Sequence, residues 1–109
     1  MHELSISRNV VAIVSEQAQH RKVLRVTLEI GKLSAILPDA IRFCFDVCSK
    51  GTSLEGAHLE ILEIPGSATC KECGAEFALH DIVARCACGG TRLVCRGGDE
   101  LKIKEMEVA

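Results

Sequence analysis

Over the first twenty positions the apolar residues fall at Leu4, Val11, Val14 and Ala18. Ile6, Val10 and Ile13 widen this into a stripe along one side of a helix. From about residue 22 to 31 the period shortens to two. Val26, Leu28 and Ile30 then share one face and Arg25, Thr27 and Glu29 the other, which predicts a half-buried strand. Pro38 suits the first turn of a second helix and Asp39 its positive end. Ile41, Phe45 and Cys48 then repeat at helical spacing until Gly51 stops it. Alternation returns at Leu59 and Ile61 as far as Pro65, and again from Leu101 and Ile103, with a change of phase at Met106 and Val108 that predicts a bulge or an exposed edge. The expected fold is α+β: a small sheet of about three strands packed by two helices.

Between the last two predicted strands the character changes. Five of the seven cysteines lie there, in Cys70-Lys-Glu-Cys73-Gly, in Cys86-Ala-Cys88-Gly-Gly and at Cys95. Residues 69–98 therefore read as an inserted zinc-ribbon-like module, and residues 1–68 plus 99–109 as the discontinuous body that receives it. Each close pair can place two thiolates on one metal, with glycine letting the backbone turn so that its N–H groups face the sulfurs. Two such knuckles give closed tetrahedral zinc, a structural site, because four thiolates leave no open position for water. The second pair lacks one residue of the usual CxxC, and Cys95 is a possible substitute ligand, but Cys86 and Cys88 are the favoured pair. Phe77, Leu79, Ile82 and Val83 offer only a sparse core, so metal binding supplies most of the module's folding free energy, on the order of 10 kcal/mol. Cys44 and Cys48, four apart on the second helix among Phe43, Phe45 and Val47, read as packing residues.

Composition narrows the classes. A net charge of −2, from 13 Lys+Arg against 15 Asp+Glu, gives no electrostatic case for nucleic acid or an anionic membrane surface. Three Phe without Trp or Tyr remove the stacking platform of single-strand binders. No apolar run approaches the roughly 18 residues of a membrane span, and the start lacks the pattern of a signal peptide. The expectation is a cytoplasmic protein whose odd number of thiols stays reduced.

The amino terminus offers a second kind of donor. A free α-amine titrates near about 7.7–8.0, so close to neutral pH it becomes a nitrogen donor beside the imidazole of His2. Amine, backbone amide and imidazole form fused chelate rings, and nitrogen-rich tetragonal coordination suits Ni(II) or Cu(II). The Glu3 carboxylate adds an oxygen donor for an octahedral variant. Met1 before a bulky histidine is expected to stay on. His20, His58 and His80 read as surface residues.

Met1-His2-Glu3-Leu4-Ser5, the strand ending Glu29-Ile30-Gly31, Phe43-Cys44-Phe45, the paired cysteines and the closing Leu101-Lys102-Ile103-Lys104-Glu105-Met106-Glu107 together resemble the HypA/HybF family of hydrogenase nickel-incorporation proteins. The resemblance spans the whole chain. It implies a nickel metallochaperone for maturation of the [NiFe]-hydrogenase large subunit, not an enzyme, working with the GTPase HypB and in some relatives with urease accessory proteins. It further implies Met1, His2 and Glu3 as ligands of transient Ni(II), and Cys70, Cys73, Cys86 and Cys88 as ligands of structural Zn(II), in a monomer or homodimer. Some relatives add an acidic ligand near the start of the second helix, where Asp39 is the nearest candidate.

The main alternative is a zinc-ribbon nucleic-acid or protein interaction module. It needs a basic face, yet Lys71, Arg85, Arg92 and Arg96 are offset by Glu72, Glu76, Asp81 and the charge of a four-thiolate zinc. A zinc hydrolase or thiol oxidoreductase lacks its parts, with no HExxH, no nucleophile elbow and no histidine beside a cysteine.

Overall fold

The structure, a computed structural model, describes residues 3–81 and 84–109. In chain order the elements are α1 (Glu3–Gln17), β1 (Val23–Gly31), α2 (Pro38–Ser49), β2 (His58–Ile64), β3 (Gly66–Cys70), β4 (Glu76–Leu79), β5 (Leu93–Arg96) and β6 (Leu101–Val108). Two three-stranded sheets result, ordered β2-β1-β6 and β4-β3-β5. The fold is α+β, and the chain forms two compact units. The first takes in residues up to Glu29, Ile36–Leu62 and Lys102–Ala109; the second takes in Ile30–Ala35 and Glu63–Leu101.

In the first unit α1 and α2 pack against each other. Ile6, Val10 and Val14 recur every fourth residue on α1 and are buried with Ile41 and Phe45 of α2, Val26 and Leu28 of β1 and Leu59 of β2. Burying a side chain of this kind contributes about 1.5–3 kcal/mol, so this shared core holds the unit together. Leu4 and Ile13 belong to the same sequence stripe, but Ile13 is 50% exposed, since it sits at the edge of the face and not at its centre. The helix stops at Gln17 without a glycine. Gln19 and His20 take the left-handed backbone, with φ of 55° and 60°, and His20 N–H donates to the Ser15 carbonyl.

The second helix opens with Pro38 in its first turn and Leu37 extended before it, as a proline entry favours. Ile41, Phe45 and Ser49 face inward. Phe43, expected beside the cysteines in the packed face, is 72% exposed, and Cys44 and Cys48 are half-buried. The central strand β1 also departs from simple alternation. Thr27 lies on the expected polar face yet is buried, with an Oγ1 that has no partner among the described residues. On that face Arg25 reaches Glu60 at 4.0 Å and Glu107 at 3.6 Å, half-exposed pairs worth at most about 1 kcal/mol each. The phase change in β6 is present: Lys104 and Glu105 are both exposed where alternation would bury one, and β6 is an edge strand.

In the second unit β3 is the middle strand, antiparallel to β4 through Gly66↔Leu79 to Thr69↔Glu76 and to β5 through Ser67↔Arg96 to Cys70↔Leu93. Residues 30–35 join this unit by backbone hydrogen bonds. The N–H groups of Gly31, Lys32 and Leu33 donate to the carbonyls of Glu100, Ile64 and Gly98. Among the described residues its apolar interior is small: Ile30, Ala68 and Leu79 are buried beside Cys70 and Cys86. Phe77 is half-buried, and Ile82 and Val83 lie outside the described residues.

Candidate metal centre

Cys70 is the last residue of β3, so a regular strand delivers the first sulfur. The chain then turns through Lys71–Ala75: Gly74 N–H donates to the Cys70 carbonyl and Cys70 N–H to the Ala75 carbonyl, both at 2.8 Å. The Cys86 turn is the same frame drawn one residue tighter. Gly89 N–H donates to the Cys86 carbonyl at 2.9 Å and Cys86 N–H to the Gly90 carbonyl at 3.1 Å. This shorter frame accommodates the residue missing between Cys86 and Cys88. Gly74 and Gly89 stand at φ of +79° and +87°, which side-chain-bearing residues rarely adopt.

The two turns bring four sulfurs together. The Sγ atoms of Cys70, Cys73, Cys86 and Cys88 all lie within 4.8 Å of one another, the first cysteine of each pair buried and the second exposed. Across the turns, Cys73 and Cys86 are 3.5 Å apart and Cys70 and Cys88 3.7 Å. A tetrahedron with metal–sulfur bonds of about 2.3 Å has edges of about 3.8 Å. The donor set and its spacing therefore fit one soft tetrahedral ion, of the kind zinc supplies, and leave no fifth position. Gly90 is part of the fit, because a Cβ there would stand 3.2 Å from Cys70 Sγ and 1.9 Å from the Glu72 carboxylate.

The electrostatics favour a cation. The N–H groups of Cys73 and Glu72 face the Cys70 sulfur and, against the burial that opposes them, draw its thiol down to about 7. Cys88 accepts an N–H from Gly90 at 3.3 Å, but the sulfurs of Cys86 and Cys73 outweigh it and push the thiol up to about 12. At Cys73 the N–H of Ala75 lowers and the Cys86 sulfur raises, with a net rise. One thiolate forms readily and disfavours its neighbours, and a divalent ion is what lets the others ionise.

The geometry leaves Cys95 out of the group: it lies exposed on β5, opposite Ala68. Cys44 and Cys48 join no metal-ligating group among the described residues. Of the residues expected to hold nickel, Met1 and His2 lie outside the described residues, and Glu3 is half-buried as the first residue of α1. Asp39 is exposed in the first turn of α2. His20, His58 and His80 are exposed, as expected. Two contacts had no sequence signal, Arg92 with Glu72 at 3.7 Å and Lys32 Nζ with His80 Nδ1 at 2.9 Å, since the partners are far apart in the chain.

Fold and centre define a class, a small α+β protein built around a four-cysteine metal-binding site. The sequence profile described as "Hydrogenase/urease nickel incorporation, metallochaperone, hypA" matches residues 1–108. Hydrogenase maturation factor HypA of Nostoc sp. is 66% identical over 108 residues, covering 99% of this chain and 96% of that protein. Its counterpart in Geobacter metallireducens is 49% identical over 109 residues, covering 99% of each. The solution structure of the Ni metallochaperone HypA from Helicobacter pylori shares the fold, with a TM-score of 0.66 at 23% identity over 99% of this chain and 97% of that one. The chain belongs to the HypA family of nickel-incorporation metallochaperones, which are not enzymes.

Proposed function

We propose that this chain binds Ni(II) at its amino terminus and delivers it to the large-subunit precursor of a [NiFe]-hydrogenase, with Zn(II) fixed in the four-cysteine centre. The observation that carries the reading is the closed donor set. Four sulfurs at tetrahedral spacing complete the coordination of one ion, so labile cargo needs another site. The amine of Met1, the imidazole of His2 and the carboxylate of Glu3 form a nitrogen-rich set suited to nickel. Family membership and the relatives' name, hydrogenase maturation factor, support the same reading.

Nickel held at a chain end is approached from one side, so an acceptor ligand attacks before the ion leaves, and delivery proceeds by ligand exchange. The zinc holds residues 69–98 in shape while the body of residues 1–68 plus 99–109 carries the cargo. The partners of this reading are the GTPase HypB and the hydrogenase precursor, with urease accessory proteins for some relatives, all in the cytoplasm. Among the described residues no helix is long and apolar enough to cross a membrane.

Nickel titration of the untagged protein tests the reading, beside His2→Ala and a variant with one residue added before Met1. Both variants are expected to lose nickel and keep zinc. Unchanged nickel stoichiometry and affinity in both would overturn the assignment.

A further inference from the structure

The seam between α1 and α2 in the first unit is an open groove of about 570 Å³. Its α1 wall is Leu4, Arg8, Val11, Ala12 and Ser15, a single helical face spanning about 17 Å, or three turns. Val47 and Cys48 of α2 form the other wall, and His20 and Thr52 also line it. Leu4 is 38% exposed and Val47 46%, although large apolar residues are not left in a row along a seam without cost. Phe43 continues the apolar edge one turn before Val47. Ala12 and Ser15, the small residues of this wall, leave it room to receive a side chain from another helix.

The charge of the lining is one-sided. Among the described residues Arg8 and His20 contribute the charged and titratable groups, and no carboxylate lines the groove. Among the described residues Arg8 forms no ion pair. Two copies of this seam facing each other would set Arg8 and His20 against a lining equally without acid, which disfavours self-association there. A nucleic acid would need a run of cations, and the groove has a single arginine.

The geometry points to this seam as a docking groove for an amphipathic helix of another protein, apolar on one face and carrying carboxylates at its flanks. Its apolar residues cover Leu4, Val11 and Val47, and a carboxylate meets Arg8. The groove begins at Leu4, so a docked helix reaches the first turn of α1. Docking in the groove does not depend on whether nickel is bound at the amino terminus.

The test uses the full zinc-loaded chain and two capped peptides of about 18 residues, each with leucine at positions i, i+3, i+4 and i+7, one flanked by glutamates and its twin by lysines. Amide shift mapping and fluorescence anisotropy are the readouts. The acidic peptide is expected to move the amides of Leu4, Arg8, Ala12 and Val47 and to bind about tenfold or more tightly than its twin, more weakly at high salt. Exposed Arg8 tolerates Arg8→Glu, which is expected to reverse the preference while nickel and zinc stoichiometry stay the same. Equal binding of both peptides, shifts confined elsewhere, no binding, or a dimer of the protein alone that protects Leu4 and Val47 would each overturn the proposal. Loss of nickel by His2→Ala with peptide binding intact separates the two readings.

Discussion

Four identical side chains in one centre do not behave identically, because each sulfur faces different backbone. Cys70 receives the N–H groups of Cys73 and Glu72 and titrates at about 7, whereas Cys88, crowded by other sulfurs, is pushed up to about 12. A metal ion binds the thiolates, so affinity rises with pH and binding releases whatever protons remain. At about pH 6 Cys70 is mostly thiol and gives up its proton; at about pH 8 it is mostly ionised already, while Cys88 releases its proton in both cases. Proton release on zinc binding is therefore expected to fall by about 0.8 between these pH values, as calorimetry in buffers of different ionisation enthalpy would register. A release independent of pH over this range would show that Cys70 is not the readily ionised member.

The helices illustrate how packing divides residues that periodicity treats alike. Ile13 and Ile41 both fit helical stripes, yet Ile13 is half exposed and Ile41 is 1% exposed in the core between the helices and the sheet. Ile41→Ala is expected to destabilise the first unit by about 2–5 kcal/mol through lost burial and the cavity left behind. Ile13→Ala should stay within about 0.5 kcal/mol. Chemical denaturation followed by far-ultraviolet circular dichroism measures both, and equal effects would contradict the packing described. Strand β6 shows the opposite case, in which periodicity carried most of the answer: the change of phase at Met106 and Val108 predicts a bulge or an exposed edge, and β6 lies at the edge of its sheet with Lys104 and Glu105 both outward.

The two compact units differ in what holds them. The first has a conventional apolar core, whereas among its described residues the second buries little beyond Ile30, Ala68 and Leu79 around Cys70 and Cys86. Metal binding, on the order of 10 kcal/mol or more for a thiolate site, is then the main term in the second unit. Cys73→Ala is expected to lose the metal of the four-cysteine centre and with it the amide protection of β3, β4 and β5, while α1, α2 and β1 keep theirs in hydrogen exchange. Retained metal, or loss of protection in both units together, would refute this division.

Much of the centre could be read from the chain, because CxxCG is a local device: the turn, its glycine and its two sulfurs are contiguous, and contact between knuckles adds only their meeting. The α1, β1 and α2 assignments rest likewise on periods that a single element imposes on its own residues. Strands β4 and β5, four residues each, were not legible, since so short a run carries no period and forms only because β3 pairs with both. The burial of Thr27 and the exposure of Phe43 were equally invisible. Each depends on which distant side chain arrives beside it. Local spacing and chemistry thus fix elements, knuckles and family, while register, burial and the one-sided charge of the α1–α2 groove emerge when segments far apart in the chain are pressed together, because contact free energy belongs to pairs and not to positions.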